Sequence, residues 1–505
     1  MPKRSPSRKR PPTAALVSLG CPKNLVDSER MLAGLALAGF VVTGDPDGAD
    51  VAVVNTCAFI DLARAESDQH LDELEDLKQA GRLGRIVVAG CMAQRYGGQI
   101  LERHPDVDAV VGVADREALA EVCASWFAGT PKKHGRAKPA VAHGHQAVVR
   151  VGAHGLAPPD DRERLRLTPR HYAYLRISEG CDNRCAYCAI PEIRGPLRSK
   201  PLAQVLAEAE ELVADGAKEL ILIGQDTTAY GNDFVKRHLA AQLVEDSPWR
   251  AGRGRSIANC GLRIADWQDT AGWTLGRLLG ELRAHIRVPW IRVMYAHPAS
   301  FGEDVIEQLA AGPPVLPYVD LPLQHVNDRI LASMGRRVGR EQIEALVDRL
   351  RHAVPNVALR TSFIVGYPGE TDREFEELLG FVGKVRFDHV GVFVYSPEAR
   401  TRAAGLGGQV PADVARRRWE RLMAAAEHLA HEAAARRLGQ ELDVLVDGLD
   451  ETGRLVARHA GQAPDVDSAV LLAPGSAGAG EFVRVRVTGA EDYDLAGEVM
   501  KDRDG

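Results

Sequence analysis

Residues 177–191 read ISEGCDNRCAYCAIP and place three cysteines, Cys181, Cys185 and Cys188, within eight residues. Thiolates are soft ligands that suit iron–sulfur clusters and zinc. No fourth cysteine or histidine follows within the next turn to complete a zinc site, whereas a cluster of four irons needs one ligand for each iron. The spacing therefore favours a cluster with one open iron over a zinc knuckle or a set of buried thiols.

The chain on both sides of this stretch alternates strand-like and helix-like segments. Six strands are predicted in HYAYLRISEGC, ELILIGQD, WIRVMYAHP, YVDLPLQH, ALRTSFIVGYP and HVGVFVYSP, separated by amphipathic helices. Six such βα units predict a partial (βα)6 barrel over residues 168–410, with the three cysteines directly after its first strand. The segment 232–272 interrupts the rhythm and is predicted to be an insertion.

Three more cysteines, Cys21, Cys57 and Cys91, lie far upstream in a separate α/β region, residues 13–128. They close the predicted strands AALVSLGC, ADVAVVNTC and RIVVAGC. The carboxyl ends of parallel strands meet at one edge of a sheet, where such folds bind ligands. The three thiols can therefore converge despite their separation in sequence.

The remaining segments complete a multidomain α/β chain. Residues 1–12 are predicted to be a basic disordered arm, 129–167 a linker rich in Gly, Pro and His, and 411–436 a linking helix. Five short strands with Gly and Asp turns predict a small β-barrel over residues 437–505.

Composition limits the class of protein. The 505 residues carry a formal net charge of -6, which argues against a generic nucleic-acid binder. No apolar run is long enough for a membrane span or a secretory signal, so we expect a cytoplasmic protein without a membrane partner. Thiols stay reduced there, so the eight cysteines are read as metal ligands or as packing residues, the latter for Cys123; Cys260, in the predicted insertion, receives no role.

The spacing Cys181-x3-Cys185-x2-Cys188 resembles that of the radical S-adenosylmethionine (SAM) enzymes. The resemblance implies a 4Fe-4S cluster whose open iron holds the amino and carboxylate groups of S-adenosyl-L-methionine. It also implies that reduction generates a 5′-deoxyadenosyl radical, which can remove hydrogen from an unactivated C–H bond.

Over most of its length the chain resembles the methylthiotransferases, which have a domain with three spaced cysteines, a radical SAM domain and a TRAM domain in the same order. The stretches SLGCPKNLVDSE, ISEGCDNRCAYCAIPEIRGPLRSK, LPLQHVNDRILASMGRR and RTSFIVGYPGET resemble the ribosomal-protein (RimO-type) branch, which modifies an aspartate of ribosomal protein S-twelve. The tRNA (MiaB-type) branch usually has glutamine and methionine around its first cysteine, where this chain has Pro22 and Lys23.

The family resemblance implies the reaction and its participants. Cys21, Cys57 and Cys91 would hold a second 4Fe-4S cluster that supplies or carries sulfur, and SAM would serve both as methyl donor and as radical source. The product would carry a methylthio group on the β-carbon of an aspartate. A reductant such as flavodoxin or ferredoxin and a sulfur donor are implied as partners.

Several residues near strand ends are candidates for the cofactor site. Barrel enzymes place their sites at strand carboxyl ends, and the resemblance makes four residues the favoured SAM contacts: Gln225, Gln324, Arg360 and Gly366. Arg194 and Arg198 in EIRGPLRS are either binders of a cofactor or substrate carboxylate or solvated loop charges.

The charge of the C-terminal segment bears on the substrate. Residues 437–505 contain seven Lys or Arg and fourteen Asp or Glu. An RNA-binding module should be basic, whereas an acidic surface suits a basic ribosomal protein; solubility alone would explain the charge equally well. A tRNA methylthiotransferase is thus the alternative enzyme. A non-catalytic electron-transfer protein is disfavoured because it needs fully ligated clusters.

Overall fold

The computed structural model describes residues 10–58, 60–127, 147–234 and 272–500. Most of the predicted arm, part of the predicted linker and nearly all of the predicted insertion, with Cys260, lie outside the described residues. The chain forms two compact units, the first made of residues 1–155, 161–167 and 189–195, the second of 156–160, 168–188 and 196–505. Among the described residues, no helix is long and apolar enough to cross a membrane.

The first unit is built on a six-stranded parallel sheet in the order β2-β1-β3-β4-β5-β6. Its central strands are almost wholly buried, as expected for a parallel sheet covered on both faces. The strands are β1 (Thr13–Ser18), β2 (Val41–Thr43), β3 (Val51–Thr56), β4 (Arg85–Gly90), β5 (Ala109–Gly112) and β6 (Val148–Arg150). The helices are α1 (Pro22–Leu37), α2 (Asp61–Gln79), α3 (Cys91–Tyr96), α4 (Ile100–Arg103), α5 (Leu119–Ser125) and α6 (Ile190–Arg194).

Two edge strands of this sheet were not expected from the sequence. β2 pairs with β1, and β6 pairs with β5 although it lies inside the predicted linker 129–167. Each has three residues, which is too short for an apolar alternation to stand out from a loop. Val148–Arg150, predicted as part of the linker, therefore forms an edge strand of this sheet.

The second unit contains the predicted partial barrel, a parallel sheet in the order β14-β13-β12-β11-β10-β7. The order along the sheet is the order along the chain, as successive βα units require. Its strands are β7 (Tyr172–Arg176), β10 (Glu219–Ile223), β11 (Trp290–Val293), β12 (Val315–Asp320), β13 (Ala358–Val365) and β14 (His389–Val394). Its helices are α7 (Leu202–Ala214), α8 (Leu275–His285), α9 (Glu303–Ala310), α10 (Asp328–Ser333), α11 (Arg340–Ala353) and α12 (Asp372–Val385).

The long helix α13 (Ala412–Ala435) leads into a closed five-stranded barrel, as the sequence predicted. Alternate residues of its strands, such as Val444, Val446 and Val485, form its core. The strands are β15 (Glu441–Leu449), β16 (Leu455–His459), β17 (Val470–Leu472), β18 (Phe482–Glu491) and β19 (Asp494–Val499).

This small barrel packs against the amino ends of strands of the partial barrel. Glu219, the first residue of β10, accepts hydrogen bonds from Arg292 at 2.6 Å and from Arg458 of the small barrel at 2.7 Å. Asp467 accepts from the Tyr318 hydroxyl at 2.7 Å. Since strand carboxyl ends carry the sites of barrel enzymes, the small barrel lies at the end away from the expected site.

Candidate functional site

The three-cysteine loop leaves the barrel after β7 and is closed at its base by a short hairpin. β8 (Ser178–Glu179) pairs antiparallel with β9 (Arg198–Ser199). Cys181, Cys185 and Cys188 lie between these strands and are partly exposed. The hairpin therefore fixes both ends of the loop close to the carboxyl end of β7.

Polar contacts from two other segments hold the loop in place. The Asn183 amide donates to Asp226, which follows β10, at 2.7 Å, and its oxygen accepts from Arg337 at 2.9 Å. The neighbouring Arg336 places one guanidinium nitrogen 4.0 Å from the Cys185 sulfur. These contacts put a positive charge beside the thiols.

The surroundings of Cys181 favour its protonated thiol until a metal binds. Burial raises the pKa of Cys181 to about 11, and the neighbouring Asp226 and Cys185 add to the rise. Metal ligation requires the thiolate, so iron binding must displace this proton. Three partly exposed thiols next to an arginine fit an anionic iron–sulfur cluster.

Two buried oxygen atoms beside the loop have no hydrogen-bond partner within the described parts of the chain: Gln225 Oε1 and Ser178 Oγ. The other end of the Gln225 amide is fixed, because Nε2 donates to Glu179 at 2.9 Å. Buried polar atoms are nearly always satisfied in a folded protein, so these two acceptors fit a polar ligand at the carboxyl ends of β7 and β10. Gln225 therefore lies where the sequence predicted a cofactor contact.

Gln324 and Gly366 lie on the same side of the barrel as Gln225, and both have a structural role through their backbone. Gln324 forms a parallel bridge with β13, its N–H donating to the Ser362 carbonyl at 2.8 Å. Gly366 has φ +75°, and a Cβ there would lie 2.5 Å from the Cβ of Ala415 in α13. The close approach of α13 thus explains the glycine, and contact of either residue with a cofactor stays a prediction.

Arg360 does not lie at a strand carboxyl end. It is the third of the eight residues of β13, and its guanidinium bonds Asp320 at 2.8 Å and Asp467 of the small barrel at 3.2 Å. Its guanidinium is thus engaged by two carboxylates, and contact of Arg360 with a cofactor stays a prediction. The stretch ALRTSFIVGYP does not show where the strand begins, and a residue in its first half faces the amino end of the barrel.

The second thiol triad lies on three adjacent strands of the first unit. Cys21 follows β1 and precedes Pro22 at the first position of α1, Cys57 follows β3, and Cys91 is the first residue of α3 after β4. These strands neighbour one another in the sheet, so the convergence expected from the sequence is present. Gly20, which has φ +88°, leaves room for the Cys57 side chain, because a Cβ at position 20 would lie 3.1 Å from the Cys57 sulfur.

The thiols of this triad interact electrostatically. Burial raises the pKa of Cys91 to about 12, Arg194 opposes the rise, and negative charge on Cys57 and Cys21 reinforces it. Burial also acts to raise the pKa of Cys21, but Lys23 and Arg194 outweigh it and leave that pKa lowered. Three mutually interacting thiols with cations beside them form a donor set suited to an iron–sulfur cluster.

Sequence reasoning missed the residues that support both triads. Asp226 and Arg336 lie within stretches already singled out, LIGQD and SMGRR, but a charged residue with a buried structural contact looks the same in sequence as a solvated one. Asp27 was likewise unassigned, and it binds Arg194 at 2.9 Å. A polar residue three positions after the end of β10 was the signal available for Asp226.

Three segments match known protein families. Residues 175–382 match the radical SAM superfamily, residues 13–112 match the uncharacterized protein family UPF0004, and residues 438–500 match the TRAM domain. Among solved structures, the radical S-adenosylmethionine methyltransferase TsrM from Kitasatospora setae, with tryptophan substrate and a SAM analog bound, has a TM-score of 0.50 and 15% identity, covering 87% of this chain and 79% of that one. That likeness concerns the fold alone.

Curated relatives match nearly the whole chain. "Ribosomal protein uS12 methylthiotransferase RimO" of Sorangium cellulosum is 40% identical over 97% of this chain and 91% of the relative. The protein of the same name from Synechococcus sp. is 41% identical over 97% of this chain and 90% of the relative. Identity this high over all three segments, together with two thiol triads at the carboxyl edges of parallel sheets, shows that the chain belongs to the RimO family of radical SAM methylthiotransferases.

Proposed function

We propose that this radical SAM methylthiotransferase adds a methylthio group to the β-carbon of an aspartate in ribosomal protein uS12. The observation that carries the proposal is the presence, in one chain, of two separate thiol triads at sheet carboxyl edges. One triad has orphaned polar acceptors beside it, and the other is buried among cations. Such a pair suits an enzyme that both generates a radical and delivers sulfur.

The radical-generating centre is assigned to Cys181, Cys185 and Cys188. A 4Fe-4S cluster and SAM bound there supply a radical able to remove hydrogen from an unactivated carbon. Within the protein, Asn183 and Arg337 keep the cysteine loop in one conformation. Gln225, held at one end by Glu179, offers its amide oxygen to the ammonium or hydroxyl groups of the cofactor.

The sulfur-delivering centre is assigned to Cys21, Cys57 and Cys91. A second cluster there would have one iron without a protein thiolate, where a sulfur species can bind. A sulfur donor and a one-electron reductant such as flavodoxin or ferredoxin complete the reaction. Because ribosomal proteins are made and assembled in the cytoplasm, we place the enzyme there.

Mass spectrometry of uS12 from cells with and without the gene tests the proposal. The expected result is a methylthio group on one aspartate that disappears with the gene and returns when the intact chain is expressed. A chain with Cys185→Ala should fail to restore it. If uS12 is unchanged and a tRNA adenosine loses its methylthio group instead, the substrate assignment is wrong and the radical chemistry stands.

A further inference from the structure

Helix α6 (Ile190–Arg194) begins two residues after Cys188 and is part of the first unit. Ala189 and Ile193 belong to the same hydrophobic core as Met92 and Cys91. The Ile193 carbonyl also lies 2.9 Å from the Nε2 atom of His154. The chain that carries the first thiol triad therefore continues directly into the packing around the second.

Arg194, the last residue of α6, reaches the second triad. One guanidinium nitrogen lies 3.5 Å from the Cys91 sulfur, and its side chain is only 1% exposed. The guanidinium also bonds two residues of α1, Asp27 at 2.9 Å and the Asn24 amide oxygen at 3.3 Å. The burial excludes the use of Arg194 for a substrate carboxylate or as a solvated loop charge.

The partners of Arg194 are themselves fixed in place. The Asn24 amide nitrogen donates to the Leu19 carbonyl at 2.6 Å and to the Asn55 carbonyl at 3.1 Å, which turns its oxygen towards Arg194. Asp27 is 1% exposed and is also contacted by Arg116 at 3.4 Å. The guanidinium is thus held against the thiol by a rigid polar frame.

We propose that Arg194 is a positioning residue that sets the reduction potential of the cluster held by Cys21, Cys57 and Cys91. The inference rests on the proposed second cluster. The potentials of iron–sulfur clusters depend on net charge, on hydrogen bonds to the sulfurs and on solvent exposure, and Arg194 contributes a buried positive charge and an N–H directed at a ligand sulfur. A positive charge stabilises the reduced, more negative cluster and so raises its potential.

The test uses the full chain with Cys181, Cys185 and Cys188 all changed to Ala, so that iron binds only at the second triad. After anaerobic loading with iron and sulfide, iron is counted and the potential is measured by redox titration followed by electron paramagnetic resonance. We expect Arg194→Gln to lower the ratio of reduced to oxidised cluster at least tenfold at a fixed applied potential. For a one-electron couple, a tenfold change corresponds to a reduction potential 59 mV lower. Arg194→Lys, which keeps the charge, should recover most of the shift.

Two further variants separate charge from structural damage. Asp27→Asn removes a negative charge from the same frame and should raise the potential, whereas general damage would move both variants in the same direction. Arg116→Gln, which removes a second cation from Asp27, should have a smaller effect than Arg194→Gln. If the Arg194→Gln variant loses its iron, the reduction potentials of the cluster in Asp27→Asn and Arg194→Lys are compared instead. A higher potential in Asp27→Asn supports the proposal, and equal potentials overturn it.

The failures are distinguishable. If the chain with the second triad alone binds no iron, the second cluster is wrong and the role of Arg194 falls with it. If the cluster forms and Arg194→Gln changes the ratio less than tenfold, the cluster stands and the role of Arg194 is overturned.

Discussion

Gln225 shows how one residue can combine a structural bond with a free acceptor. Its Nε2 atom is engaged by Glu179, while its Oε1 atom is buried and has no partner within the described residues. A ligand that donates to Oε1 would restore a hydrogen bond worth about 1 kcal/mol or more. This makes Gln225 a residue whose effect on binding can be separated from its effect on the cluster.

We predict that Gln225→Met raises the dissociation constant for SAM about tenfold, because a lost hydrogen bond of about 1.4 kcal/mol corresponds to that factor. Binding is measured by equilibrium dialysis on the iron-loaded protein, with iron content determined in parallel. Ser178→Ala removes the neighbouring acceptor and provides a matched comparison. Unchanged affinity in both variants would contradict a cofactor site at these atoms.

Replacing one cysteine in each thiol triad should affect different steps of the reaction. We predict that Cys185→Ala abolishes reductive cleavage of SAM, since that thiol belongs to the triad beside Gln225. Cys57→Ala should keep cleavage but stop methylthio transfer, since that thiol lies in the first unit. Products are followed by liquid chromatography. Equal loss of SAM cleavage in both variants would contradict separate roles for the two triads.

At this scale the sequence was informative where chemistry and position coincide. The six cysteines are of an uncommon residue type and lie near strand ends, so their grouping into two triads was predictable. Arg360 has a suitable residue type but lies three positions into its strand, where it bonds Asp320 and Asp467 instead. Arg194 could not be placed either, because a buried arginine and a solvated one look alike until the helix that carries it is packed.

At the scale of elements, the turn after β13 is fixed by the helix α13. Glu370 in this turn is buried and accepts from the Gly366 N–H at 2.6 Å and from Arg418 of α13 at 2.7 Å. Ala415 of the same helix faces Gly366. The stretch GYPGE is therefore a docking point for α13 as well as a strand terminator.

We predict that Gly366→Ala destabilises the protein by about 2–6 kcal/mol, because positive φ and overpacking against Ala415 each cost about 1–3 kcal/mol. The double variant Gly366→Ala with Ala415→Gly should recover part of this loss, since it removes the overlapping methyl group. The free energy of unfolding is measured in urea for both single variants and the double variant. Strict additivity would contradict the proposed contact.

Elements of ordinary length were predictable from periodicity, and the short ones were not. The strands of both sheets that carry cysteines, and all five strands of the small barrel, have clear apolar patterns. β2, β6, β8 and β9 have two or three residues each and exist only because a neighbouring strand offers an edge. The hairpin that closes the cysteine loop therefore depends on tertiary structure.

At the scale of the molecule, the small barrel is joined to the radical SAM barrel by buried charges. Arg458, 2% exposed, bonds Glu219 of β10 and forms a fork with Asp447, which also bonds His171 at 2.8 Å. Burial alone would raise the pKa of Glu219, but Arg292 and Arg458 outweigh it and leave that pKa lowered. Some of the acidic residues of the small barrel thus serve internal contacts, which reduces the charge available to attract a basic substrate.

We predict that Arg458→Gln destabilises the protein by about 3–5 kcal/mol at pH 7, because it leaves buried carboxylates without a cation. Arg486→Gln, which breaks an exposed pair with Glu441, should cost less than about 1 kcal/mol. Unfolding in urea measures both. Similar effects of the two variants would contradict a buried network.

The same network has a pH signature. Glu219 and Asp447 have lowered pKa values in the folded protein. Their contribution to the free energy of unfolding is therefore complete above their unfolded-state pKa values of about 4.3 and 3.9, and it is lost as pH falls through their folded-state pKa values. The stability gap between the unaltered chain and Arg458→Gln should therefore narrow below about pH 4. A gap that stays constant from pH 7 to pH 3 would contradict this.

The buried charges between the two barrels also bear on how such genes can recombine. A TRAM domain of identical fold that lacked an arginine at 458 or an aspartate at 467 would leave Glu219, Arg360 and Tyr318 facing an uncomplementary surface. Exchange of this domain between lineages is therefore restricted to donors with matching charges. The two barrels should be inherited as a matched pair, and a substitution on one side should select for its counterpart on the other.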